Sequence, residues 1–154
     1  MAELLPGAKA PAFSLAGQDG KQYSLKDLKG KKIVLYFYPK DDTSGCTKEA
    51  CSFRDNLSAV KKKGAVVIGV SPDPVSAHEK FQKKYDLNFL LLSDESKKML
   101  MQYGVWQEKS MYGRKYMGVV RTTFIIDEKG KITHIFPKVK VDGHTEEVLK
   151  ALSE

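Results

Sequence analysis

A chain of 154 residues, 42% hydrophobic and with a formal charge of +7, is one domain's worth and buries roughly two thirds of its unfolded surface, so no disulfide is needed to hold it together. Its longest apolar runs are of strand length and its start carries no charged leader followed by an apolar run, which argues against a membrane span or secretory signal and leads us to expect a soluble, cytoplasmic protein. Lysines are spread along the chain without a basic stripe interleaved with aromatics, so the charge reads as solvated surface and not as a nucleic-acid face.

In chain order, "AFSLAGQDGKQYSL" alternates on either side of a glycine-containing turn and predicts a small N-terminal β-hairpin. "KIVLYFYP" predicts a buried strand stopped by Pro39. A helix is expected from Thr43 or Ser44 to about Lys62, with Ala50, Phe53, Leu57 and Val60 at three- and four-residue spacing and Gly64 ending the pattern. The lysines from Lys61 to Lys63 suit its last turn, where cations favour the macrodipole. "AVVIGVSPD" predicts a second buried strand, and Ser76 to Tyr85 a helix whose Ser76 and Glu79 have the spacing of a capping box. "FLLLSD" reads as a strand and Asp94 to Tyr103 as a short helix. The 105–120 segment, "VWQEKSMYGRKYMGVV", predicts a loop with irregular strand. "RTTFIIDEKGKITHIF" is a hairpin about "DEKG", and "HTEEVLKALSE" a closing helix. The expected fold is α/β: a mixed central sheet with helices on both faces, in a single domain from Met1 to Glu154.

Both cysteines, Cys46 and Cys51, stand in "YFYPKDDTSGCTKEAC". In a reducing compartment such a pair is catalytic, redox-active or metal-bound more often than structural. The segment follows the carboxyl end of a buried strand, where open α/β sheets bind ligands. With Thr43 as N-cap, Cys46 falls at N3, in a first turn whose amides and dipole stabilise negative charge and favour the thiolate. The Thr43 hydroxyl is expected to bond either the N3 amide or the sulfur, and Gly45 to leave room beside the sulfur for a small substrate. Residues five apart in an ideal helix have Cα atoms roughly 8.6 Å apart. A disulfide spans about 4.4–6.8 Å. Joining the two cysteines therefore requires the first turn or two to unwind, which suits a cycle better than a permanent staple.

The run Pro39, Thr43, Cys46 in "PKDDTSGC", the second cysteine, and "RTTF" from Arg121 to Phe124 closely resemble a peroxiredoxin of the bacterioferritin comigratory protein or PrxQ type. With "APAFSL", "VIGVSPDP", "LLSDE" and "DGHTEEVL", the resemblance covers essentially the whole chain. It implies a thioredoxin-like fold and a thiol-dependent peroxidase acting on hydrogen peroxide and organic hydroperoxides. Cys46 would be the peroxidatic cysteine and Cys51 the resolving one, joined in an intramolecular disulfide. Thr43 would hydrogen-bond peroxide and sulfur, Pro39 would shield the pocket, Arg121 would stabilise the thiolate, and Glu49 would belong to the same network. The implied partners are a peroxide and a thioredoxin-type dithiol reductant, with no metal, haem or flavin, and the chain is expected to be a monomer.

Other readings of the same residues compete. The cysteines could be inert small hydrophobes. A zinc site has little support, since His78, His134 and His144 have no paired spacing and read as solvated or packed. Arg121 taken alone is a solvated strand-edge charge, and Trp106, Met99, Met101 and Tyr103 read as packing. The rival function is a thiol-disulfide oxidoreductase or redox-sensing module on the same fold. Such exchange proteins usually carry C-x-x-C, whereas four residues intervene here.

Overall fold

The computed structural model describes residues 4–154. The N-terminal hairpin is present as β1 (Ser14–Gly17) and β2 (Gln22–Ser24), followed by β3 (Lys32–Phe37), the "KIVLYF" strand. After it come α1 (Ser44–Asp55), α2 (Leu57–Lys62), β4 (Ala65–Ser71) and α3 (Val75–Tyr85). The second half holds β5 (Leu90–Ser93), α4 (Lys98–Gln102), β6 (Trp106–Met111), β7 (Arg114–Val119), β8 (Thr122–Ile126), β9 (Ile132–Phe136) and α5 (His144–Leu152).

Seven strands form one mixed sheet in the order β2-β1-β5-β4-β3-β8-β9. The β5-β4-β3 core is parallel, and antiparallel neighbours join it on either side, β1 against β5 and β8 against β3. Strand alternation divides the core into two layers. From β3, Ile33, Leu35 and Phe37 enter one layer while Val34, Tyr36 and the following Tyr38 enter the other. The second layer is closed by α1, α2, α3 and α5 through residues such as Phe53, Val60, Phe81 and Val148. The first is closed by α4, through Met99 and Leu100, and by irregular chain around Phe13 and Val105. A strand buried on both faces needs a near-continuous apolar run, as β3 has.

Four expectations change. The long helix from residue 43 to 62 is broken at Asn56, whose backbone leaves the helical region (φ −108°, ψ 9°). Its side-chain amide donates to the Ser52 carbonyl at 2.8 Å, competing for an acceptor the helix would use. The Ser76–Glu79 capping box does not form, because α3 begins one residue earlier with Pro74 as N-cap, and Glu79 instead pairs with Lys83 at 2.9 Å. The helix expected from Asp94 is shortened to α4, since Lys97 takes a left-handed conformation (φ 65°) and the Asp94 carboxylate reaches forward to the Leu100 amide at 2.8 Å. The 105–120 segment is a regular hairpin, β6 paired with β7 from Trp106↔Val119 to Met111↔Arg114. Its turn residues Tyr112 and Gly113 both have positive φ (51° and 78°), the two-residue geometry whose twist matches that of paired strands.

Gly69 of β4 carries one close approach: a Cβ there would stand 2.9 Å from Tyr36 Cζ and 3.0 Å from Leu91 Cδ2. Gly69→Ala is therefore expected to destabilise the protein by about 1–3 kcal/mol through overpacking, measured as a shifted urea midpoint with an unchanged m-value.

Candidate active site

The carboxyl end of β3 delivers the site. Tyr38 extends the parallel pairing, its amide donating to Val70 O at 3.0 Å, and half-buried Pro39 then ends the strand. Asp42 takes a positive φ of 57° and turns the chain into α1, with extended Thr43 (φ −94°, ψ 159°) as the N-cap. Cys46 thus stands at N3, 2% exposed, and Cys51 lies half-buried in the same helix. Both thiols are free, and α1 runs unbroken through both, so the spacing argument against a disulfide in the folded helix applies.

Arg121 closes the site from the short link between β7 and β8. Its backbone carbonyl accepts from the Val139 amide at 2.9 Å, and its side chain reaches across to α1. Nη2 donates to Cys46 Sγ at 3.2 Å, and Nη1 to Glu49 Oε1 at 2.6 Å. Cys46 and Glu49, three residues apart, share one helix face, so a single planar guanidinium bridges both. The room that Gly45 leaves is filled by this group: a Cβ at residue 45 would lie 3.3 Å from Arg121 Nη2. Gly45 thus keeps clear the approach of the cation to the sulfur.

Burial pushes the Glu49 carboxyl up to about 7, with the Arg121 charge and hydrogen bond opposing the shift. Its second oxygen, Oε2, is buried without a partner among the described residues. Burial works against the Arg121 charge, but Glu49 and then Cys46 outweigh it and hold the guanidinium above its ordinary range. Lys109 of β6, which the sequence did not single out, is a second cation beside the site. Its Nζ donates to Val119 O at 2.8 Å, and burial followed by the Arg121 charge lowers its pKa while Cys46 opposes.

Thr43 behaves otherwise than expected. Its hydroxyl donates to the Lys40 carbonyl at 2.8 Å and makes no capping bond, because the left-handed Asp42 folds the chain back over Lys40. The first-turn amides of α1 are thereby left without a side-chain cap. Two of the histidines read as packed or solvated are core residues: His78 is fully buried and His144 is 1% exposed, its Nε2 2.8 Å from Thr123 Oγ1. His134 is half-buried beside Glu154.

Residues 6–135 match the model of the AhpC/TSA family. The chain is 57% identical over 146 residues to a putative peroxiredoxin bcp of Coxiella burnetii, covering 95% of this chain and 97% of that one. Among solved structures, a mutant of Xylella fastidiosa PrxQ superposes with a TM-score of 0.93 at 33% identity, covering 99% and 98% of the two chains. A Xanthomonas campestris bacterioferritin comigratory protein, described for its alkyl peroxide reduction activity, superposes with a TM-score of 0.89 at 38% identity over 98% and 96%. The buried first-turn cysteine at the end of a central strand, on a thioredoxin-like fold matched over its full length, places this chain in the AhpC/TSA family, among the peroxiredoxins of the Bcp or PrxQ type.

Proposed function

We propose that this chain is a thiol-dependent peroxidase that reduces hydrogen peroxide and organic hydroperoxides at Cys46. The observation that carries the reading is the Arg121 guanidinium 3.2 Å from the Cys46 sulfur in the uncapped first turn of α1. Fixed cationic donors there stabilise a thiolate before reaction and the charge that moves onto the departing oxygen during it. The sulfur attacks the hydroxyl oxygen of HO–OR along the O–O axis; the S–O bond forms, the O–O bond breaks, and alkoxide or hydroxide leaves to take up a proton. The Thr43 hydroxyl spends its proton on Lys40 O. Its lone pairs then face the peroxide as acceptors and orient the O–H of the attacked oxygen. Pro39 fixes the strand end that walls the pocket. The description of the Xanthomonas relative, for alkyl peroxide reduction, supports organic hydroperoxides as substrates.

Cys51 resolves the sulfenic acid. Its thiolate attacks the Cys46 sulfur, the S–O bond breaks, hydroxide leaves and takes up a proton to become water, and an intramolecular disulfide forms once α1 has unwound. The unwinding releases the Ser52–Thr145 hydroxyl pair (2.6 Å), the Lys48–Asp142 ion pair and the Glu49–Arg121 bond. A dithiol of thioredoxin type reduces the disulfide and lets the helix re-form. One domain from Met1 to Glu154 carries the whole cycle as a monomer in the cytoplasm. Among the described residues no helix is long and apolar enough to cross a membrane. The rival reading, a disulfide-exchange module, has no use for a cation held on one buried thiol with the other out of reach.

Glu49 adds a pH term. Its folded value of about 7 lies above the ordinary 4.5, so the native state binds the extra proton and stability falls as pH rises through that interval. Below the lower value both states are protonated and the term vanishes.

Three outcomes are expected. Cys46→Ser abolishes peroxidase activity, while Cys51→Ser consumes about one equivalent of peroxide without turning over with thioredoxin; sustained turnover by the second variant would remove Cys51 from its role. Oxidation speeds amide exchange across residues 44–52, and identical exchange in the two redox states would show that the helix does not open. Glu49→Gln flattens the decline in stability of the reduced protein between about pH 4.5 and 7, a span on the order of 2–3 kcal/mol in urea titrations; a wild-type curve without that decline would contradict the assignment.

A further inference from the structure

The loop from Pro39 to Thr43 rests on a buried polar network that the peroxide chemistry does not touch. At its centre, Asp41 is 9% exposed. Its amide donates to Asp73 Oδ2 at 2.8 Å, its Oδ1 accepts from the Tyr38 hydroxyl at 2.6 Å, and its Oδ2 lies 2.6 Å from His78 Nδ1. Asp73 is itself held, by the Ser71 hydroxyl on its carboxylate and the Ser93 hydroxyl on its carbonyl, both at 2.6 Å. His78, on α3, is fully buried, and its Nε2 lies 2.9 Å from Leu92 O of β5.

Both ring nitrogens face oxygens, Asp41 Oδ2 and Leu92 O, so each is engaged in a hydrogen bond inside the network. Donor atoms of Asp41, Asp73 and His78 fall within 4.8 Å of one another. A metal is nonetheless poorly served, because both ring nitrogens are already engaged by oxygens at 2.6 and 2.9 Å. A buried aspartate–histidine pair is weak evidence of stabilisation, since packed apolar residues often do as well. Its position offers another reason for it. The loop is further tied by Asp42, whose carboxylate takes Lys84 Nζ at 2.7 Å and the Tyr85 hydroxyl at 2.6 Å. The residues before α1 are thus anchored to α3, β4 and β5, while the ties of α1 itself must let go in every cycle.

We infer that His78, acting through Asp41, is the positioning residue of the peroxide-binding loop: it holds Pro39 to Thr43 in place while the adjoining helix unwinds and re-forms. The inference rests on the peroxidase reading above.

The test separates the two half-reactions of the full chain by stopped flow: oxidation of Cys46 by hydrogen peroxide, and the disulfide formation that follows. His78→Asn places an amide nitrogen where Nδ1 stands and keeps the bond to Asp41; His78→Gln reaches instead toward Leu92 O and gives Asp41 up. The expected result is a loss of about tenfold or more in the oxidation rate for Gln, with Asn within about threefold of wild type and the disulfide-forming rate little changed in both, since small displacements of a positioning group cost rates of this order. Asp73→Ala, at a half-buried residue, frees the Asp41 amide and is expected to slow the same step severalfold; it carries the test alone should the His78 variants fail to fold. Equal losses for Asn and Gln, parallel loss in both half-reactions, or an unchanged oxidation rate in Asp73→Ala would overturn the inference and leave the peroxidase standing. A wild type that forms no sulfenic acid would overturn the peroxidase reading itself.

Discussion

The Arg121 guanidinium is the constraint on which the site depends, because it joins a strand end to two residues in the first turns of a helix. Nothing in α1 alone would keep Cys46 and Glu49 facing the same cation; the sheet does that. β8 runs antiparallel to β3, with Phe37 opposite Thr122. The residue just before β8 therefore stands beside the chain that leaves β3 toward α1. A sulfur at N3 and a guanidinium entering from the neighbouring strand meet because two adjacent strands end at the same edge. Gly45 is part of this geometry, since any side chain there would crowd Nη2.

The proposed cycle needs this helix intact for one step and open for the next, and the distribution of its contacts suits both. Its polar ties are an exposed lysine–aspartate pair at Lys48, the bridge from Glu49 to Arg121 and, just past Cys51, the Ser52–Thr145 hydroxyl pair. An exposed ion pair is worth about 0.2–1 kcal/mol and a hydrogen bond about 0.5–1.5 kcal/mol. Beyond Cys51 the balance changes: Phe53 is fully buried and stacks on Tyr36 with centroids 4.8 Å apart. Burying such a side chain contributes roughly 1.5–3 kcal/mol. Opening as far as Cys51 draws Cys46, Glu49 and Ala50 out of burial but leaves the larger Phe53 packed, which is as far as bond formation requires. At the other end the Asp41 network sets the matching boundary.

Much of this was legible in the sequence, for identifiable reasons. β3, β4 and β5 are buried on both faces, so their apolar runs were unmistakable, and the hairpin around "DEKG" carried its turn in four residues. The β6–β7 hairpin was not legible because it lies apart from the main sheet with most of its residues exposed, Met111, Tyr116 and Met117 among them. Without a buried face there is no alternation to read, and the remaining signal was the Tyr112-Gly113 turn. Asn56 looked like one more polar position on a helix; that its side-chain amide would share the Ser52 carbonyl with its own backbone amide depends on a side-chain rotamer. The Cys46 position followed from spacing alone, whereas Arg121 and Glu49 needed the family resemblance, since 72 residues separate the partners of that bond. His78, one of three histidines read as solvated or packed, is packed, and its contact with Asp41 joins residues 37 apart on different elements, which no spacing announces.

Glu49 shows how these strands of argument meet. A carboxyl raised to about 7 is, in thermodynamic terms, a penalty on the folded helix whenever that carboxylate is ionised. The same group is what orients Arg121, so the site gains a fixed cation and α1 loses some of its margin over the unwound form. With one oxygen bonded and the other buried without a partner, the carboxylate is better solvated once the helix opens. In the proposed cycle, a residue that aims the cation in the first step would therefore also bias the helix toward the opening that the second step requires, and a fully satisfied carboxylate in its place would hold the sulfur well but keep Cys51 waiting.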